Sequence, residues 1–82
     1  GQIMNLSKEQ LLFKVQTFAQ NLITLGFEKF EVEDISISLD GAQTCLMLTV
    51  SKIDAVAKFY FKSNPENAMS PSGYLYHIDW ND

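Results

Sequence analysis

The chain of 82 residues has no arginine, one cysteine, one histidine, one tryptophan and two prolines. Each scarcity removes a class of function. Arginine is the side chain best shaped for bidentate contacts to phosphates and guanines. Its absence, with six lysines against ten acidic residues and a formal charge of −4, argues against nucleic acid as a partner. The same charge disfavours anionic membrane surfaces, so neither nucleic acid nor membrane is expected to bind. A lone Cys45 excludes an intrachain disulfide, and no Cys/His cluster is spaced to hold zinc, so no cofactor is expected. No apolar run approaches the roughly 20 residues that span a bilayer. No charged n-region leads into an apolar h-region, and with the single cysteine this gives a cytoplasmic expectation. Asn5-Leu6-Ser7 matches a glycosylation sequon, read as a chance match without a secretion signal. Met4 reads as a native start, with Gly1, Gln2 and Ile3 outside the fold.

What the chain does contain is globular: 46% hydrophobic and 20% charged residues. The length suits one domain over residues 1–82. A domain of this size hides only about 60–65% of the surface that its unfolded chain exposes. Its stability is usually supplemented by disulfides, a metal or association. With the first two set aside, association with itself or with another protein is the supplement left.

The helix signals are complete at both ends. Ser7 and Gln10 form a capping box, and Leu6 and Leu11 have the spacing of a hydrophobic staple. Leu11, Leu12, Val15, Phe18, Ala19, Leu22 and Ile23 then recur on one helical face. Gly26 followed by Phe27 fits a Schellman ending, with Phe27 touching Leu22, so a helix is predicted over 8–25.

The remaining chain alternates in the manner of strands. Asp40-Gly41 marks a two-residue hairpin that sets Ile37 opposite Thr44 and Ile35 opposite Leu46. A β-bulge at Glu33-Asp34 then lets Val32 face Leu48 and Phe30 face Val50. A four-residue loop over 51–54 would pair Ala55 with Val50, Ala57 with Leu48 and Phe59 with Leu46. After a loop from Ser63 to Gly73, Tyr74, Tyr76, Ile78 and Trp80 fall on one side of a fourth strand. The expected fold is α+β: one N-terminal helix on one face of an antiparallel, roughly four-stranded meander, the last strand lying beside the third or the first.

One helix covers one side of a sheet, so the other side should be polar. In this register, however, Cys45 lies opposite Tyr60 and Thr49 opposite Val56, with Met47 between. Cys45, Met47, Val56 and Tyr60 form an apolar patch on the open side, and such patches mark interaction sites. A loop folded over that side would bury it instead. On the helix, Phe13 lies between Gln20 and Thr24 on an uncharged surface that Thr17 and Asn21 extend. Interfaces favour aromatics and are poor in Lys and Glu, so Phe13 joins the candidate interface residues, although single exposed apolar residues are common.

Reactive groups are few. His77 and Asp79 share a strand side, but no third ligand or nucleophile follows at a suggestive spacing. His77 is therefore read as a strand histidine beside tyrosines. Cys45 is placed mid-strand, away from the positive charge or helix N-terminus that activates a thiolate. Glu28, Glu31, Glu33, Asp34 and Asp40 gather half of the acids into thirteen residues, without the pattern of a calcium loop. Charged strand edges that resist edge-to-edge pairing are the common explanation for such a cluster. No glycine-rich phosphate loop, GxSxG or HExxH occurs. The expected function is a non-enzymatic protein-interaction module that self-associates, as a homodimer, through the uncovered sheet face. The alternative is an acidic inhibitor of the immunity type that masks a basic site on another protein.

Overall fold

The computed structural model describes residues 6–36, 44–64 and 74–81. One helix, α1 (Lys8–Thr24), precedes four strands: β1 (Lys29–Asp34), β2 (Cys45–Lys52), β3 (Ala55–Lys62) and β4 (Leu75–Asn81). The sheet order is β1-β2-β3-β4 with every neighbouring pair antiparallel, a meander with the helix on one face. The α+β architecture expected from the sequence is the one observed.

Local signals place the helix. The Ser7 hydroxyl accepts from the Gln10 N–H at 3.2 Å, while the Ser7 N–H donates to the Gln10 side chain at 2.9 Å. At the other end Gly26 has φ +117°, where an L side chain would be strained. The Phe27 N–H donates to Leu22 and the Gly26 N–H to Ile23, the paired bonds of a Schellman motif. Leu25 is the C-cap, so the helix proper stops one residue earlier than the spacing suggested.

The core sits between α1 and the three strands beneath it. Leu11, Val15 and Ala19 pack on Leu46, Leu48, Val50, Ala57, Phe59 and Phe61, all buried. Phe18 seals one flank, its ring meeting Phe59 and Phe61 edge-on at 5.0 and 5.5 Å. Burying large apolar side chains in this way contributes about 1.5–3 kcal/mol each.

Three details of the sheet differ from expectation. β2 and β3 are joined by a two-residue turn at Ile53-Asp54, so that Val50 faces Ala57, Leu48 faces Phe59 and Leu46 faces Phe61. The ladder is therefore shifted by two residues from the four-residue-loop register, which leaves every side chain on its expected face. Next, β1 runs unbulged: Phe30 faces Val50 and Val32 faces Leu48 as expected, but Asp34, not Ile35, faces Leu46. Asp34 can occupy that helix-side position because Lys8 meets its carboxylate at 2.7 Å. The hairpin signal at Asp40-Gly41 lies outside the described residues. Finally, β4 pairs with β3 and carries an irregularity opposite Tyr60 and Phe61. Phe61 faces Leu75 and Tyr60 faces His77, so Tyr76 is the extra residue and leaves the side that Ile78 and Trp80 share.

Candidate interface on the open face of the sheet

The β2–β3 register decides what the helix-free face presents. Met47 is directly opposite Tyr60, and the row continues to Glu33 on β1 and His77 on β4. The next row runs Glu31, Thr49, Lys58, Asp79. Cys45 faces Lys62 and Val56 faces Ser51, rather than Tyr60 and Thr49 respectively.

The patch of Cys45, Met47, Val56 and Tyr60 is thus divided. Cys45, Met47 and Tyr60 are neighbours, while Val56 lies four residues along β3 from Tyr60, about 13 Å away. Thr49 and Lys58 stand between them. Tyr76, displaced by its irregularity, takes the vacated role. Its ring is 6.0 Å from that of Tyr60, and Lys62 caps it with Nζ 4.5 Å from the centroid. The His77 ring lies 5.2 Å from Tyr60 on the other flank. Tyr60 is therefore the centre of an aromatic cluster bordered by lysine and glutamate.

Phe13 is not part of this cluster. It projects from the outer side of α1 with 71% of its surface exposed, beside Leu6, Glu9, Gln10 and Lys14. The hydroxyls of Thr17 and Thr24 on that helix donate to the carbonyls of Phe13 and Gln20, which satisfies them locally.

The acidic cluster is also divided. Glu28, just ahead of β1, and Glu31 and Glu33 within it are exposed. Asp34 instead points to the helix side, and its carboxyl is held well below the usual carboxylate range by hydrogen bonds from Lys8 and from the Ser36 side chain and N–H. Asp40 lies outside the described residues. Among the described residues no three His, Cys, Asp or Glu side chains gather as metal ligands. His77 and Asp79 do share the open face, but their cross-strand neighbours are Tyr60, whose ring lies against that of His77, and Lys58.

The sequence reading misses two residues altogether. Ile78 and Trp80 were expected only to share one side of the last strand; that side is the helix side, yet each is about half exposed, at 50% and 51%. The cause is geometric. A helix with its side chains is about 10–12 Å across, and four strands about 4.8 Å apart form a wider platform. α1 lies over β1, β2 and β3, and of β4 only Leu75, at its start, packs against the core. Phe27, just beyond the helix, gives Trp80 partial cover by an edge-on contact at 5.8 Å.

No protein-family model, curated protein or solved structure matches this chain. The molecule is therefore classed by its architecture, a single helix on a four-stranded antiparallel meander. No helix among the described residues is long and apolar enough to cross a membrane.

Proposed function

We propose that this chain is a non-enzymatic protein-interaction module that associates with a second copy of itself through the helix-free face of its sheet. The observation that supports this reading is the Met47–Tyr60 cross-strand pair with Cys45 and Tyr76 beside it, on a face that no helix among the described residues covers. A central aromatic with a charged rim is the usual composition of a docking patch, because the centre contributes most of the affinity and the rim excludes wrong partners. Here the rim is Glu33, Lys58 and Lys62.

Light scattering after size exclusion tests the reading. A contact through this face predicts a dimer mass that persists in high salt and that Met47→Glu returns to a monomer without loss of its circular-dichroism spectrum. A Met47→Glu protein with an unchanged dimer mass would exclude this face as the contact.

A second reading is supported by Glu28, Glu31 and Glu33, which stand exposed at the start of β1 and along it. They suit an acidic inhibitor that covers a basic site on another protein. Association of that kind is fast and weakens steeply with salt. We rank it second because the fourth carboxylate of the series, Asp34, is engaged by Lys8 within the molecule.

A further inference from the structure

The two edges of the sheet differ in a way that selects one of them for pairing. Each edge strand has, at its middle, an apolar residue on the helix side flanked by two polar residues on the open side. On β1 this triplet is Glu31-Val32-Glu33, and on β4 it is His77-Ile78-Asp79. In an antiparallel pairing of an edge with its own copy, centred on the apolar residue, the flanking residues meet each other across the two-fold axis. At β1 that brings Glu31 opposite Glu33 twice, and like charges directly opposed are destabilising. At β4 it brings His77 opposite Asp79 twice. An imidazole N–H donor then faces a carboxylate acceptor on the same side of the sheet. The β1 edge is guarded against its copy and the β4 edge is complementary to its own.

The exposed apolar surface gives the same assignment. Phe13, Leu25 and Ile53 are exposed on the helix and in turns, but among the described strand residues on the helix side Ile78 and Trp80 are the large apolar ones left half bare, and both lie on β4. Pairing about Ile78 sets the two Ile78 side chains opposite each other, with each Trp80 diagonal to the other copy's Ile78. Cross-strand aromatic and β-branched neighbours are the stabilising unit of a sheet. Among the described residues no strand lies beside the outer edge of β4.

We propose that two copies of this chain join through β4, antiparallel about Ile78, to form one continuous eight-stranded sheet. The contact is isologous and closed, the commonest form of a homodimer. On the open face, the row Glu31, Thr49, Lys58, Asp79 of one copy continues as His77, Tyr60, Met47, Glu33 of the other. The two Met47–Tyr60 patches then share one surface. This inference rests on the self-association reading but not on the face through which that reading places the contact.

The test introduces a single cysteine at the proposed axis. The Cys45→Ser/Ile78→Cys protein is exposed to oxidised glutathione and resolved on a non-reducing gel, with Cys45→Ser/Val32→Cys as its partner experiment. Directly opposed residues of an antiparallel pair have Cα atoms about 5 Å apart, within reach of a disulfide. The expected result is a covalent dimer through position 78 and none through position 32, unchanged when Met47→Glu is added. In the chain without cysteine changes, His77→Asp sets two aspartates opposite each other on both sides of the axis and should weaken association about tenfold. Equal cross-linking at 32 and 78 would overturn the proposal. So would a dimer that Met47→Glu abolishes and Ile78→Cys fails to trap, which would leave the face reading standing. A cross-link at 78 in a protein whose dimer mass ignores Met47→Glu supports the edge and removes the face. A monomer at every concentration removes both.

Discussion

Asp34 is the residue where charge, register and helix placement meet. It ends β1 on the helix side, its carboxylate accepts from the Ser36 N–H at 2.9 Å, and Lys8 from the first turn of α1 meets its other oxygen at 2.7 Å. These hydrogen bonds favour the ionised form, so the folded-state pKa is depressed below the unfolded one. The sign of the linkage follows. The stabilisation is fully present above the ordinary carboxylate value of about 4. It is lost as pH falls from there through the lowered folded value. Both partners are substantially exposed, which limits the ion pair to about 1 kcal/mol or less. Asp34→Asn is therefore expected to lower stability by that amount at pH 7, and the gap to the parent protein should shrink as urea titrations are repeated from pH 4 downward. A gap of constant size across that range would mean that the ionised carboxylate contributes nothing. The sequence shows Asp34 only as one acid among five. Its partner belongs to another element, and a bulge drawn to keep Ile35 in phase obscured the position.

At the scale of elements, what was legible was local. The capping box of Ser7 and Gln10 and the Gly26–Phe27 ending act within one helical turn, so the residues that form them are adjacent in the sequence. Strand faces were legible too, because period-2 alternation fixes the side of each residue. A slip of two residues leaves that alternation intact. For this reason the β2–β3 register was open between a turn of two residues and a loop of four, and with it the neighbours of Cys45 and Val56. Tyr76 was grouped with Ile78 and Trp80, and the structure separates them, because an extra residue leaves no mark in a pattern of alternating aromatics. Ser63 was read as the start of a loop, whereas it is 3% exposed and joins three segments. Its hydroxyl accepts from the Thr44 N–H at 2.9 Å, its own N–H donates to the Thr44 carbonyl, and its carbonyl accepts from the Leu6 N–H ahead of the helix. Ser63→Ala keeps the two backbone bonds but leaves the Thr44 N–H without its acceptor, at a cost of about 1–3 kcal/mol. Urea unfolding should show a lowered midpoint with an unchanged slope. Ser51→Ala, on the open face, should stay within about 0.5 kcal/mol of the parent.

For the molecule as a whole, the governing mismatch is between one helix and four strands. The helix buries β1, β2 and β3 on one side, leaving Ile78 and Trp80 half bare on that side and the Tyr60 cluster open on the other. The sequence put Tyr60 on the open side and Ile78 with Trp80 on one side of the last strand, but it could not say how far the helix reaches, because coverage depends on where the helix axis lies and not on any residue's periodicity. A folded unit of 82 residues gains little surplus stability from its own core. In the proposed dimer, burial of the bare apolar surface against a second copy would supply what the helix does not, and association would become part of the folding equilibrium. Mass action requires the melting temperature of such a protein to rise with its concentration. Calorimetry over a hundredfold range of protein concentration is expected to show that rise in the parent chain, with a smaller rise in His77→Asp, whose β4 edges repel. In Met47→Glu the size of the remaining rise measures the share of association carried by the β4 edge alone. A melting temperature independent of concentration in the parent protein would mean that the single folded unit is stable with Ile78, Trp80 and Tyr60 left facing water.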